Sequence, residues 1–245
     1  MSIDLNCDLG EAYPNDAALM PLISSANIAC GYHAGDADTM RRTVDLAVEH
    51  IVAIGAHPGF DDKENFGRKE QQLSRQAYYD LVYRQLEILA AHAAAAGAAI
   101  SHVKPHGALY NMAARDPELA ATVARAVLDF NPELILFGLS GSHSIAQAQA
   151  LGLKTAGEVF ADRSYQADGS LKPRSRPGAL ITHTDKCLEH VLEMVLNKRV
   201  RAADGAWVSI SAETICLHGD GEHAVVFARA VRAALMGKDI AVQAP

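Results

Sequence analysis

Three short stretches carry side chains of the types that do chemistry: Asp8 and Glu11 in DLGE, His57 in AHPG, and Lys104 and His106 in HVKPHGALYN. Two carboxylates three residues apart suit a metal ligand or an acid/base pair, and they equally suit the cap of a first helix. His57 precedes Pro58-Gly59, so the chain turns sharply and presents an imidazole at a strand end. Lys104 and His106 are two residues apart and point the same way on extended backbone. A lysine between Val103 and Pro105 is rarely buried without a partner. It can pair with phosphate or carboxylate, or act as a base if its pKa is lowered. Asp8, His57, Lys104 and His106 are therefore the expected catalytic residues.

A wider set surrounds them. His33 in CGYHAGD can ligate a metal, move a proton, orient a phosphate or simply be buried, and Asp36 follows it. In GLSGS, Ser140 and Ser142 lead into a helix N-terminus, which is either an anion site or an ordinary tight turn. Glu158, Asp162 and Arg163 bring together two acids and a guanidinium fork, suited to clamping a carboxylate or phosphate or to internal ion pairing. His218 and Asp220 in HGD repeat the pattern near the C-terminus. Asp8, His33 and His57 make a candidate three-ligand metal set with an open position, the basis for an alternative reading as a metal-dependent deacetylase or amidohydrolase.

These residues must be held by some scaffold. Seven apolar runs end in the polar stretches: 3–10, 25–36, 51–59, 99–107, 134–142, 153–163 and 213–220. Helical periods lie between them. Met40, Val44, Ala47, Val48 and Ile51 share one face; Ser74 opens a long helix that Gly97 ends; Asp116-Pro117-Glu118 is a strong N-terminal signal. Ser142 and Thr184 or Asp185 open two more helices, and a last one spans 221–236. Strand–helix alternation with near-continuous apolar strands predicts a parallel sheet covered by helices. Polar residues at nearly every strand end favour a β/α barrel, distorted or incomplete, over an open sheet. The whole chain, 1–245, reads as one domain, with an irregular insertion at 164–183 expected to form a lid or small hairpin over the mouth.

Composition excludes other classes. The 245 residues carry 29 acidic and 22 basic side chains, a net charge of −7, which argues against nucleic-acid binding. No apolar run approaches the roughly 20 residues that span a bilayer, and the N-terminal segment lacks a signal-peptide pattern, so a cytoplasmic location is expected. The four cysteines form no CxxC pair; Cys7, Cys30 and Cys216 read as small buried hydrophobes. There is no GxxxxGK[ST], GxGxxG, GxSxG or HExxH.

Taken in order, DLNCDLGE (4–11), SSANIACGYHAGD (24–36), AIGAHPGF (53–60), FGRK (66–69), HVKPHGALYN (102–111), GLSGS (138–142), EVFADRSY (158–165) and ETICLHGD (213–220) resemble the LamB/YcsF family. The likeness covers essentially the whole chain. Tyr32, Phe60-Asp61-Asp62 and Glu213 stand where the family more often has Phe, Tyr-Pro-Asp and Asp, and none of these changes removes a polar strand-end residue. The resemblance implies a glycoside hydrolase/deacetylase-type barrel. It also implies ATP-dependent opening of 5-oxo-L-proline to L-glutamate with ADP and phosphate released, as one component of a multi-subunit 5-oxoprolinase working with subunits B and C. ATP would be cosubstrate, with Mg2+. In that chemistry Lys104, Arg163 and the GLSGS turn would meet phosphate, Arg163 or Arg68 the substrate carboxylate, and His57, His106 or Asp8 would activate water.

Overall fold

In the computed structural model, residues 1–219, 221 and 223–245 are described; Asp220 lies outside them. Among the described residues seven parallel strands close on themselves. They are β1 (Ser2–Leu9), β2 (Ser25–Ala29), β3 (Ala53–His57), β4 (Ile100–Val103), β5 (Ile135–Leu139), β6 (Lys154–Phe160) and β9 (Thr214–His218). Closure comes from β9 pairing with β6 on one side and with β1 on the other, where Asp4 to Asp8 run opposite Thr214 to His218. The expected seven-stranded β/α barrel is the observed fold. A two-residue β10 (Ala241–Val242) extends β1 outside the ring, and β7 (Arg199–Arg201) with β8 (Trp207–Ser209) forms a short antiparallel ribbon. The sequence reading missed that ribbon because three-residue strands carry no period.

Helices pack around the barrel: α1 (Asp16–Leu19), α2 (Ala37–Glu49), α3 (Arg75–Ala95), α4 (Gly107–Arg115), α5 (Pro117–Phe130), α6 (His143–Ala150), α7 (Thr184–Leu196) and α8 (Ala224–Met236). Three of these starts follow from side-chain capping. Asp36 accepts from Thr39 N at 2.8 Å, Ser74 from Ala77 N at 3.2 Å, and Asp116 from the amides of Glu118 and Leu119. One expected helical face is shorter than its apolar pattern. The helix α2 ends at Glu49, which leaves Ile51 beyond it, at φ +56° and 94% exposed, while Val48 in its last turn is 42% exposed.

The apolar core lies between barrel and helices, on the outward side of each strand. Along β1, Leu5, Cys7 and Leu9 join it, while Asp4, Asn6 and Asp8 turn inward. The barrel interior is accordingly polar rather than filled with branched apolar layers. At its floor Asp4 accepts from Ser24, Ser25 and Thr214. Above, Asn6 donates to Glu158 and Thr214 and accepts from Asn27, whose own side-chain oxygen lies 2.9 Å from His102 Nε2.

Candidate functional site

The upper end of this interior opens into a cavity of about 900 Å3 lined by Asp8, Glu11, His57, Lys104, His106 and His218, by Ser140 and Ser142, and by Arg68, Arg163 and Arg174. Residues 166 and 168–171, with Pro173 and Arg174, form part of its wall, so the irregular segment does border the mouth.

Lys104 stands at the bottom, 2% exposed. Its ammonium donates to Asp8 Oδ1 at 2.7 Å, lies 2.9 Å from Glu158 Oε1 and reaches Cys216 Sγ at 3.0 Å. Burial alone would lower its pKa, but Asp8, Cys216 and Glu158 outweigh burial and hold it well above the usual lysine value. That direction opposes a lysine made basic by a lowered pKa and favours an ammonium held among Asp8, Glu158 and Cys216. Asp8 is its mirror image. Burial would raise its pKa, and His57 and Lys104 instead keep it well below the carboxylate range. Cys216, read as a plain buried hydrophobe, is buried but accepts from this ammonium.

Four side chains meet on the wall above Lys104. His57 Nε2 lies 2.9 Å from His106 Nδ1, 3.3 Å from Asp8 Oδ2 and 3.9 Å from Glu11 Oε1. Glu11 Oε1 is also 3.4 Å from both His33 Nε2 and His106 Nδ1. One ligand atom from each of Glu11, His33, His57 and His106 lies within 4.8 Å of the other three. Relative to the expected metal set, the structure brings in Glu11 and His106, while Asp8 is engaged with Lys104 and Asn27. The rings of His33 and His106 stack at 3.7 Å, with Phe66 edge-on to both. Burial lowers the pKa of both rings well below the imidazole value, with neighbouring histidines adding to it. The glycines of AHPG and FGRK make this packing possible: a Cβ on Gly59 would sit 2.7 Å from His33 Nδ1, and one on Gly67 2.7 Å from His33 Cβ.

Across the cavity, His218 Nδ1 lies 2.8 Å from Asp162 Oδ2 and 3.0 Å from Oδ1. A carboxylate only accepts, so Nδ1 carries the hydrogen, and in the neutral ring Nε2 is left as the acceptor on a ring that lines the cavity. Burial would raise Asp162, but His218 outweighs it and lowers its pKa. Arg163, 5% exposed, donates to the Lys172 carbonyl at 2.7 Å; burial, then Arg174, lowers its pKa to about 10. Arg68 lines the same cavity, its guanidinium 4.7 Å over the Phe66 ring. Ser142 sits at the start of α6 without capping it through its side chain, and Ser140 Oγ accepts from Ser211 N.

Two expected binding residues fall elsewhere. Asp36 is exposed and occupied as the cap of α2. Glu158 is fully buried beneath the mouth, where it holds Lys104 and Asn6. Sequence reasoning overlooked Asn6 and Asn27, although polar side chains at 4, 6 and 8 in an otherwise apolar run already signal a strand with a polar inner face.

The fold and mouth define a closed seven-stranded β/α barrel with a buried carboxylate–histidine–lysine centre. Its architecture is shared with the family 4 carbohydrate esterase of Streptomyces lividans (TM-score 0.53, 12% identity, 98% of this chain and 91% of that one), a likeness of fold alone. The particular kinship is closer. The sequence model of the LamB/YcsF family matches residues 3–245, and this chain belongs to that family. It is 53% identical over 247 residues to the 5-oxoprolinase A subunit of Tolumonas auensis, covering 99% of this chain and 98% of the relative. The crystal structure of the lactam utilization protein from Thermus thermophilus superposes with a TM-score of 0.93 at 44% identity, covering all of both chains.

Proposed function

We propose that this chain is the A component of an ATP-dependent 5-oxoprolinase, a hydrolase that opens the lactam of 5-oxo-L-proline to L-glutamate with subunits B and C, releasing ADP and phosphate. One observation carries the reading: relatives named for 5-oxoproline and lactam chemistry match the chain from end to end, and its reactive strand ends line one cavity.

The chemistry suits the residues. A lactam carbonyl is protected by the delocalisation that gives peptide bonds a rotation barrier of roughly 18–20 kcal/mol. Phosphorylating the lactam oxygen removes that protection and opens C5 to water. The developing phosphate charge calls for cations and amide donors, which Arg163 and the GLSGS turn into α6 offer at the cavity wall. Arg68 or Arg163, both at the cavity wall, would hold the substrate carboxylate. Asp8 is too strongly held as a carboxylate by Lys104 to be a good base. His218, oriented by Asp162 and facing the cavity, is the better candidate to take a proton from water. Mg2+ would travel with ATP, because the cluster of three imidazoles and one carboxylate is not the all-oxygen set that Mg2+ prefers.

The same cluster favours a second reading, metal-dependent amide hydrolysis without ATP. The test is 5-oxoproline-dependent ADP release with glutamate measured in parallel, for the chain alone and mixed with candidate B and C subunits. Coupled turnover only in the mixture supports the oxoprolinase. Glutamate formed without ATP by the chain alone supports the second reading.

A further inference from the structure

A buried guanidinium normally comes with an anion, because a full charge and five N–H donors are costly to dehydrate. Arg163 is 5% exposed just beyond β6, yet among the described residues its side chain makes one hydrogen bond, to the Lys172 carbonyl, and its Nε is buried with no acceptor. The nearby acids are engaged elsewhere. Asp162, its neighbour in the chain, is held by His218. Of the acids lining the cavity, Asp8 is held by Lys104, Glu70 by Arg115 and Asp168 by Ser170, while Glu11 faces the histidines. A second cation, Arg174, lines the same cavity half-buried and makes no hydrogen bond or ion pair among the described residues. The irregular segment sets it there. Lys172 N donates to Ser164 O at 2.8 Å and Ser164 N to Ala179 O at 3.0 Å, so the loop carrying Arg174 is pinned at both ends beside Arg163. Arg174 is close enough to add to burial in lowering the Arg163 pKa to about 10. Two like charges on one wall repel, and an anion held by both offsets that repulsion.

We propose that Arg163 and Arg174 together bind the carboxylate of a small ring substrate, and that Arg174 makes the site select acidic rings over uncharged ones. The lactam in that ring rests on the oxoprolinase reading; the carboxylate rests on the two guanidinium groups. A planar guanidinium with unused N–H groups matches the two oxygens of a carboxylate. The surroundings fit the rest of such a molecule. Phe160, Leu171 and Pro173, close to the two arginines in the chain, line the same cavity with side chains that offer no donor. That suits a carboxylate carried on a small hydrocarbon frame better than a phosphate, all of whose oxygens seek donors. The GLSGS turn into α6, beyond the end of a different strand, stays available for phosphate. Because the loop is pinned through Lys172 and Ala179, Arg174 is held in place before substrate arrives, which lowers the ordering cost of binding.

The test is calorimetric titration of the full chain with four probes: L-5-oxoproline, uncharged 2-pyrrolidinone, cyclopentanecarboxylate (ring and charge without the lactam) and inorganic phosphate. Both carboxylates are expected to bind, and 2-pyrrolidinone at least about 10-fold more weakly than 5-oxoproline. Arg174→Gln should weaken both carboxylates about 10–100-fold, the loss of one charge-assisted contact, while keeping the wild-type melting temperature. A merely structural arginine would show the opposite pattern. Arg163→Gln should have the same effect on affinity, but it also loses the Lys172 contact, so Arg174→Gln, with no internal bond to lose, carries the test. Equal affinity for 5-oxoproline and 2-pyrrolidinone, or carboxylate affinity unmoved by Arg174→Gln, overturns the subsite and leaves the lactam reading intact. Phosphate bound in place of the carboxylates, and lost with Arg174→Gln, overturns it by giving the pair to phosphate. Binding of none of the four probes overturns it as well. Cyclopentanecarboxylate bound in an Arg174-dependent way, with 5-oxoproline neither bound nor turned over, upholds the carboxylate subsite and defeats the oxoprolinase reading.

Discussion

His57 Nε2 and His106 Nδ1 meet in a 2.9 Å hydrogen bond, and neither ring is free to turn, because each holds a backbone carbonyl with its other nitrogen. The arrangement is built from strand ends: His57 closes β3, and His106 stands three residues beyond β4, its own amide bonded to Pro58 O. Rigidity of this kind is what a site needs if cations or substrate are to meet preset donors.

Removing the buried cation should be costly. Lys104→Met leaves Asp8 and Glu158 as uncompensated charges in the barrel. A loss of about 3–5 kcal/mol is expected, the usual result of deleting one member of a buried ion pair. Urea unfolding checks it, and a loss under about 1 kcal/mol would show that the interior is far wetter than its burial implies.

His102 contributes to the acid limb of stability, alongside His33 and His106. Burial lowers its pKa to about 3, against roughly 6.5 for an exposed imidazole. Between those values the unfolded chain binds a proton that the folded chain refuses, so stability falls as pH drops through this window. The contribution is about 1.4 kcal/mol per pH unit. His102→Gln should be less stable at neutral pH, because it loses the packing on Phe137, but flatter between roughly pH 6.5 and 4. Urea midpoints measured across that range decide it; an unchanged slope refutes the assignment.

Gly59 tests the histidine packing independently of any catalytic role. A methyl group there would meet the His33 ring at 2.7 Å, and the ring is walled in by His106 and Phe66. Gly59→Ala should therefore cost about 1–3 kcal/mol of stability by overpacking. A wild-type melting curve would mean that His33 has room to retreat.

If His218 moves a proton, His218→Gln should lower turnover of the assembled enzyme about 10²–10⁴-fold with a smaller effect on KM. Arg163→Gln should do the reverse if it holds an anionic substrate group. Loss of one charge-assisted bond of about 1.5–3 kcal/mol raises KM roughly 10–100-fold. Steady-state kinetics on the two variants separates these roles, and the opposite split would exchange them.

Strand–helix alternation, the helix starts at Ser74 and Asp116, and the polar ends of the seven runs were legible in the sequence, because local periodicity and capping are written in neighbouring residues. So was the list of reactive side chains. Their partners were not. Lys104 gave no local sign that it sits between Asp8 and Glu158, which are 96 and 54 residues away in the chain, and Asp36 looked no different from Asp8 until one became a cap and the other an inward strand end. Closure of the barrel made those choices. The pairing of β9 with β1 turned every second residue of β1 inward and brought distant side chains within hydrogen-bonding reach. In that dry interior, charge pairing and burial decide which groups stay charged.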